Sequence, residues 1–321
     1  MKEFLIGPND AGQRVDKFLT KAMPRLPSSL LYKSIRLKRI KVNGKRCAIS
    51  TRLAEGDRMT LYINDEFFES DTGPLPFLLA KDHLDLVYED ENLLLVNKEA
   101  GLLVHEDDRE KTDTLINRIL KYLYQKGEYR PLEENSFVPA LCNRIARNTS
   151  GIVIAAKNAP TLRLLNEKIK ERQLDKRYLC IVFGTPQPPQ ATLKGWLRKD
   201  AATNQVTILA APQEGARTIL TRYRVLESRG RFSLLEVELL TGRTHQIRAH
   251  LASIGHPLLG DTKYGRNRDN KGTGWRWQAL CSYQLTFRFT TSGEHLDYLN
   301  GRTFQVEAVD FADAFRQGLI Q

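Results

Sequence analysis

The stretch Leu239–Gly265, LLTGRTHQIRAHLASIGHPLLGDTKYG, places arginine and histidine side chains among helix-forming apolar residues. The run before it, SLLEVELL (233–240), has the apolar character of a buried strand. From 244 to 254 the apolar side chains recur at helical spacing, so one face of a helix can pack inward. The sequence therefore predicts a strand, a turn at Thr241–Gly242 and a short helix.

The polar side chains of this stretch fall at the beginning of the predicted helix. Arg243 and His245 lie at its start, and Gln246 and Arg248 follow within one turn. The first N–H groups of a helix are unpaired and the helix dipole favours negative charge there, so we predict contact with an anion. The alternative is a surface helix whose polar face happens to carry arginine and histidine.

Size and composition indicate an ordinary globular protein. The 321 residues suffice for two domains, or for one large domain with an appendage, and 41% of them are hydrophobic and 27% charged. No apolar run approaches the ~20 residues of a membrane span, and the start MKEFLIGPND lacks a signal-peptide core, so we expect a cytoplasmic protein.

The four cysteines are far apart without CxxC spacing, and GxxxxGK, GxGxxG and HExxH motifs are missing. We therefore expect no disulfide framework, no metal and no cofactor.

The net charge of +11 is concentrated near the N-terminus. Between residues 14 and 46 there is one acid, Asp16, against eleven basic residues: Arg14, Lys17, Lys21, Arg25, Lys33, Arg36, Lys38, Arg39, Lys41, Lys45 and Arg46. Such an asymmetry indicates a polyanionic partner, the alternative being a solvated basic face with none.

The chain divides into a small N-terminal module and a larger remainder. Within 13–63, two amphipathic runs precede short apolar strands around Asn43–Gly44, which is a strong hairpin-turn signal. The acidic, proline-containing segment 64–83 has no periodicity and marks a linker. Beyond it we predict strands within 84–104, 152–156, 175–183, 194–198, 205–209, 218–226 and 278–289, and helices at 114–124, 161–171 and 311–318.

The motifs GRTHQIRAHL and GHPLLGDTKYG closely resemble the third motif of the RluA-type pseudouridine synthases, which act on uridines in structured RNA. The segment 84–104 resembles the first motif of that family, with Glu99 in place of the proline of N-K-P-x-G. DKRYLCIVF (175–183) resembles its K-x-Y motif, which makes Tyr178 the active-site tyrosine. QALCSYQLTFRF (278–289) resembles its closing strand, with Cys281 where histidine is common.

The segment FVPALCNRIARNTSGIVIAAK (137–157) resembles the second motif of the family, H-R-L-D-x-x-T-S-G. Arg144 and Thr149 match that pattern, and Asn143 replaces its histidine. The aspartate that the family uses as its catalytic group falls on Ala146. Since a methyl group does no nucleophilic or acid–base chemistry, the resemblance implies a protein without catalysis. It also implies that Arg248, the family's partner of that aspartate, is left unpaired unless water, an anion or RNA satisfies it.

The resemblance extends to the N-terminal module, whose R-V-D-K-F-L opening and V-N-G-K turn are similar to those of an S4 (αL-type) RNA-binding domain. It implies an α+β protein with three parts: an S4 domain (1–63), a linker (64–83) and a catalytic domain (84–321) with a mixed, mostly antiparallel sheet and a basic cleft. The implied catalytic positions are Ala146, Tyr178 and Arg248. The implied RNA contacts are Arg144, Thr149, Arg243, His245, Gln246, Arg14, Lys17, Lys33, Arg36, Arg39, Lys41 and Lys45.

The expected partner is structured RNA, which the resemblance implies to be large-subunit ribosomal RNA or a ribosomal particle. We expect the protein to be a monomer that needs no cofactor and binds no membrane. Two hypotheses follow. In the first, which the intact Arg144, Tyr178 and Arg248 favour, an active synthase has had its nucleophile deliberately replaced by Ala146. In the second, the chain is a natural non-catalytic relative that binds RNA or an assembling ribosome. A plain DNA-binding role ranks behind both, since it would leave the uridine motifs without a purpose.

Overall fold

The computed structural model describes residues 1–68 and 73–320, and these residues build two β-sheets with separate cores. The small sheet has four strands in the order β1-β4-β2-β3 and packs against two helices. Its elements are β1 (Lys2–Leu5), α1 (Val15–Ala22), α2 (Ser28–Arg36), β2 (Ile40–Val42), β3 (Lys45–Arg46) and β4 (Arg58–Leu61).

The N-terminal module matches the predicted pattern of two helices and a hairpin, with one strand added. Asn43 and Gly44 both have positive φ angles, 51° and 74°, as a two-residue hairpin turn requires, and they connect β2 to β3. Strand β1 was not predicted, because only Phe4 of its four residues is buried and no alternation is visible. Its backbone pairing with β4 makes it a strand.

The large sheet contains eleven strands, and its main order is β11-β10-β12-β13-β9-β14-β8-β6-β5, with β15 paired to β14 and β7 to β8. Its strands are β5 (Leu86–Glu89), β6 (Leu93–Lys98), β7 (Ala140–Leu141), β8 (Ser150–Ala156), β9 (Leu174–Phe183), β10 (Gln190–Asp200), β11 (Gln205–Leu209), β12 (Arg217–Arg229), β13 (Phe232–Leu239), β14 (Leu280–Phe287) and β15 (Thr303–Gln305). The helices are α3 (Leu115–Gln125), α4 (Ala159–Lys170), α5 (Gln246–Ser253), α6 (Asn267–Asn270) and α7 (Asp310–Arg316). Among the strand pairs of the described residues, β8 with β14 is parallel and the other named pairs are antiparallel, which confirms the mixed, mostly antiparallel sheet.

Apolar side chains cover both faces of the large sheet. On one face, α4 and α7 pack against alternate residues of β8 and β9, such as Ile154 and Ile181. On the other face, α3 packs over β6 and β8, and α5 packs over β9 and β13. The predicted helices at 114–124, 161–171 and 311–318 are thus confirmed within a few residues, and Thr114 caps α3 by accepting a hydrogen bond from the Asn117 N–H.

The segment between the two sheets contains short 3₁₀ turns at 65–68 and 76–79 in its described part, and the remainder of the predicted linker, 69–72, lies outside the described residues. No helix within 1–68 or 73–320 combines the length and the apolar character that crossing a bilayer demands.

Gly151 allows β8 to lie directly beside β14. Its φ is 111°, and a Cβ at this position would overlap the backbone of Ser282. We therefore expect Gly151→Ala to lower the free energy of unfolding by about 3 kcal/mol, at the upper end of ordinary substitutions. Denaturant unfolding measures it, with Gly272→Ala as the control, since that residue has φ 81° but open space around it. Equal losses in the two variants would contradict the close approach.

Candidate active site

Ala146 lies in the turn that leads into β8, at the middle of the large sheet. The Thr149 N–H donates to the Ala146 carbonyl (3.0 Å), which closes the turn. The Thr149 hydroxyl, which is buried, accepts a hydrogen bond from the Gln278 side chain (3.2 Å) just before β14. The half-buried Ala146 is thereby fixed next to the place where β8 and β14 pair, Ser150 with Cys281 and Gly151 with Ser282. We call this place the seam between β8 and β14.

Lys98, at the end of β6, holds this turn from the other side. Its buried ammonium donates to the carbonyls of Glu99 (2.7 Å), Leu102 (2.9 Å) and Arg147 (2.8 Å). Burial lowers the pKa of Lys98 to about 7, although the charge of Glu99 opposes this. The Gly101 N–H also donates to the Arg147 carbonyl (2.9 Å), so the lysine turn and the Ala146 turn form one unit. The sequence offered only the lysine of the first motif as a signal for this role.

Arg248 is paired, so the expectation that it would lack a partner was wrong. Its Nε donates to Oδ2 of Asp261 (2.7 Å) and its Nη2 to Oδ1 of the same carboxylate (2.8 Å). Asp261 is fully buried, and Oδ1 also accepts from the backbone N–H groups of Lys263 (2.9 Å) and Tyr264 (3.1 Å). Burial tends to raise the pKa of Asp261, but Arg248 and the two N–H groups outweigh it and lower that pKa below its ordinary value.

Gly260 explains how Asp261 reaches Arg248. Its φ is 77°, and a Cβ there would overlap the carbonyl of Trp277. The segment before Asp261 therefore runs against the segment before β14, with hydrogen bonds from the Ala279 N–H to the Leu259 carbonyl and from the Leu259 N–H to the Ile181 carbonyl. This contact brings the third motif beside β14, the strand that pairs with β8, into which the second-motif turn leads. Asp261 stood in the opening stretch of sequence, but nothing there indicated a partner thirteen residues earlier.

Tyr178 lies on β9 directly opposite Ser282 of β14, on the same face as α5. Its ring is buried and packs in the cluster that includes Ile247 and Leu251. Burial raises the pKa of Tyr178, and a hydrogen bond with the Ser282 side chain opposes that rise. Since Ser282 also pairs with Gly151, only β14 lies between Tyr178 on β9 and the strand β8 that follows the Ala146 turn.

Helix α5 begins at Gln246, two residues later than the predicted 244, and His245 precedes it in a left-handed conformation with φ 52°. The Gln246 side chain is buried and accepts from the Thr241 hydroxyl (2.9 Å) and the Arg243 N–H (3.1 Å). Its amide nitrogen donates to the Leu220 carbonyl (3.0 Å). This position supports the protein scaffold, and a contact of Gln246 with RNA stays a prediction. The Arg243 side chain is exposed.

His245 contributes a neutral imidazole to this region. Its Nδ1 is hydrogen-bonded to the Tyr264 hydroxyl (2.9 Å), and the Arg248 guanidinium lies over the Tyr264 ring at 5.2 Å from the centroid. Burial and the charge of Arg248 lower the pKa of His245 to about 4, so it carries no charge near pH 7. Arg144 is exposed, and beside it the pKa of His105 is lowered by burial and by the Arg144 charge.

A polar cavity of about 220 Å³ adjoins the lysine turn and is lined by Lys81, Glu99, Asp113, Arg118 and Arg147, among others. The buried Arg118 donates to Glu99 (2.8 Å) and to both oxygens of Asp113 (2.8 Å each). Glu99, which replaces the proline of the first motif, thus has an ion-pair partner.

The predicted RNA contacts of the N-terminal module lie on its helices, loops and strands, away from the large sheet. Lys17, Lys33, Arg36, Arg39 and Lys45 are exposed, and Lys41 is half-buried with its ammonium 5.4 Å from the Tyr62 ring centroid. Arg14 is half-buried and donates to both oxygens of Asp16 (3.0 Å each), so its charge is already matched. Across the described part of the chain, no three His, Cys, Asp or Glu side chains come together as a metal site would require.

Removing the carboxylate of Asp261 leaves a buried guanidinium without its counter-ion. We expect Asp261→Asn to lower the free energy of unfolding by about 3–5 kcal/mol near pH 7. Because the folded-state pKa of Asp261 lies below its unfolded value, this stabilisation is present above about pH 4 and is lost as the pH falls further. Denaturant unfolding at several pH values measures both effects. The control is Asp269→Asn, whose ion pair with Arg268 is at the surface and contributes about 1 kcal/mol or less.

Comparisons with known proteins agree with this arrangement. Residues 92–253 match the family model described as RNA pseudouridylate synthase. The chain is 34% identical over 294 residues to an uncharacterised RNA pseudouridine synthase of Mycoplasma genitalium, covering 89% of this chain and 88% of that one. It is 30% identical over 302 residues to the ribosomal large subunit pseudouridine synthase C of Salmonella typhimurium, covering 92% and 91%.

Among solved structures, the human RNA pseudouridylate synthase domain containing 4 shares the fold, with a TM-score of 0.57 and 22% identity over 74% of this chain and 94% of that one. The seam between β8 and β14, the second-motif turn, Tyr178 and the paired Arg248 thus occur in a chain that matches these synthases over most of its length. The chain belongs to the RluA family of pseudouridine synthases, which are isomerases.

Proposed function

We propose that this protein binds structured RNA as a pseudouridine synthase does, with a uridine in the site between Ala146, Tyr178 and Arg248, and that it does not catalyse the isomerisation. The observation that carries the proposal is the Ala146 turn itself. It is held by Lys98 and Gln278 beside the seam of the sheet, yet it presents a methyl group where the family's reaction needs a carboxylate.

The carboxylates around the site are engaged in other contacts, which supports the loss of catalysis. Asp261 accepts two bonds from Arg248 and two from backbone N–H groups, and Glu99 is paired with Arg118. Of the acids nearest in sequence, Glu134 accepts hydrogen bonds from Asn9, and Glu167 lies on the exposed side of α4. None of these groups is placed to replace a nucleophile at position 146.

The substrate class we propose is ribosomal RNA of the large subunit, free or within a ribosomal particle. It rests on the name of the Salmonella typhimurium relative and on the basic surface of the N-terminal module. We further propose that residues 1–63 form an S4-type RNA-binding domain, that 64–83 form a linker and that 84–321 form the catalytic domain with a basic cleft. The protein would act as a monomer in the cytoplasm.

Two candidates account for Ala146. The first is a synthase whose nucleophile has been deliberately replaced, and the second is a natural non-catalytic relative. Particular contacts favour the second. The departures from the family pattern are accommodated by the surrounding residues. Glu99 pairs with Arg118, and the Asn143 side chain accepts from the Ile154 N–H (2.7 Å) on β8. Arg248 has Asp261 as its counter-ion without any group at position 146, so alanine leaves no buried charge unmatched.

Restoring the carboxylate separates the two candidates. Pseudouridine mapping on large-subunit ribosomal RNA is carried out with this chain and with Ala146→Asp. A single defined uridine modified by the variant alone is expected if Ala146 is the sole lesion, since Arg144, Tyr178 and Arg248 still match the family pattern.

If neither form modifies RNA but both bind it tightly, the protein is a natural pseudoenzyme. Ala146→Ser serves as the control, because a hydroxyl adds polarity without a carboxylate. Modification by the unaltered chain would show that the nucleophile has been placed incorrectly.

Binding through the phosphate backbone predicts a strong dependence on salt. Each phosphate contact contributes about 0.7–0.9 to the slope of log K against log salt concentration. We expect Lys33→Gln with Arg36→Gln, both on α2, to reduce that slope by about 1.5 on a large-subunit rRNA transcript. The matched control is Arg163→Gln with Lys170→Gln on the exposed side of α4. An equal reduction in both double variants would argue against the N-terminal module as the RNA contact.

A further inference from the structure

The loop between β1 and α1 makes a hydrogen-bonded contact with the large sheet's domain, separate from the covalent connection at 64–83. On the small side it involves Asn9, Asp10 and Gln13. On the large side it involves residues 134–136, which precede β7, and the first residue of α4. We call this set of contacts the polar latch.

Asp10 is the centre of the polar latch. It is buried, with 3% of its surface exposed, and its two oxygens accept from the Ser136 hydroxyl (2.6 Å) and the Asn135 amide (2.8 Å). The same Asn135 amide donates to the carbonyl of Leu5 at the end of β1 (2.9 Å). A buried carboxylate needs such donors, because burying it without partners is costly.

The side-chain amide of Asn9 forms hydrogen bonds with two further parts of the large sheet's domain. Its nitrogen donates to both oxygens of Glu134 (3.0 and 3.2 Å), and its oxygen accepts from the Ala159 N–H (3.0 Å). That N–H is one of the first of α4 and would have no partner within the helix. The hydrogen bonds of the latch are all between polar groups. The apolar core of the N-terminal module contains described residues up to 68 only, so the latch connects two units that are packed separately.

The polar latch lies at the opposite end of β8 from the candidate active site. The Ala146 turn precedes Ser150, where β8 begins, and Ala159 follows Ala156, where β8 ends. Seven residues of strand at about 3.3 Å each separate the two by roughly 20 Å. The latch thus fixes the N-terminal module at a set distance from the site.

We infer that the polar latch makes the protein a rigid two-point reader of RNA, with one contact at the N-terminal module and the other at the Ala146 site, at a fixed separation. This inference rests on the proposed function, since it assumes that both surfaces bind RNA. A rigid connection makes the second contact intramolecular with a fixed geometry, which raises affinity only for an RNA long enough to reach both points.

The test compares a latch variant, Asn9→Ala with Asn135→Ala, with a matched control, Asn64→Ala with Glu133→Ala. Asn64 directly follows the N-terminal module and Glu133 lies beside the latch, and both are exposed. Rotational correlation times from ¹⁵N relaxation are measured for amides of both units in the full-length chain. Affinity is measured for two RNA hairpins, one of about 20 base pairs, similar to the span of double-strand-binding modules, and one of about 6.

In the unaltered and control chains we expect both units to tumble with one correlation time. In the latch variant the N-terminal module should tumble faster, and affinity should fall about tenfold or more for the long hairpin and less than about twofold for the short one. Circular dichroism checks that the variant is folded.

Two results would overturn the inference in different ways. Independent tumbling in the unaltered chain would show that the polar latch does not hold, whatever the RNA result. Uncoupled tumbling in the variant with unchanged affinity for the long hairpin would show that the latch holds but does not serve a two-point contact. If neither hairpin binds any form, the proposed function fails and the RNA part of the inference fails with it, while the tumbling data still decide whether the two units are coupled.

Discussion

The large sheet is held together at its middle by a short parallel contact between β8 and β14. Only Ser150 with Cys281 and Gly151 with Ser282 are paired there, yet this contact joins β5 to β8 with the strands from β9 to β13. The backbones approach so closely that a Cβ at Gly151 has no room. The second-motif turn ends at this seam and Tyr178 lies across it, so the position of the site follows directly from how the two halves of the sheet meet.

Buried charges around the seam are each balanced by the protein. Lys98 is held by three carbonyls and carries a lowered pKa, and Arg248 is paired with a fully buried Asp261. Breaking such a pair by removing one partner is costly, whereas position 146 takes no part in either set of contacts. The fold therefore accommodates alanine there, because neither buried charge depends on a side chain at position 146.

The N-terminal module adds a second level of organisation. Under the proposed function, its exposed basic side chains would contact the phosphate backbone and position RNA without reading its sequence. Its loop at Asn9 and Asp10 is hydrogen-bonded to residues 134–136 and to the start of α4, which follows β8. Contacts of this kind are specific in geometry, and so the orientation of the module can be fixed without merging the two cores.

The sequence by itself determined the family, the sheet class, most element positions and the absence of a carboxylate at position 146, because these depend on motifs, on local periodicity and on one residue type. It located the strands at 205–209 and the helix at 114–124 closely, since their patterns are strong within a single segment. It missed the partner of Arg248, the strand β1 and the contacts that hold Gln246 in the scaffold. Asp261 reaches Arg248 only because Gly260 allows its segment to lie directly against Trp277. Gln246 is hydrogen-bonded by residues of β12. Strand β1 forms through its pairing with β4. Partners of buried charges and edge strands are chosen by contacts between segments distant along the chain, and those only the tertiary structure decides.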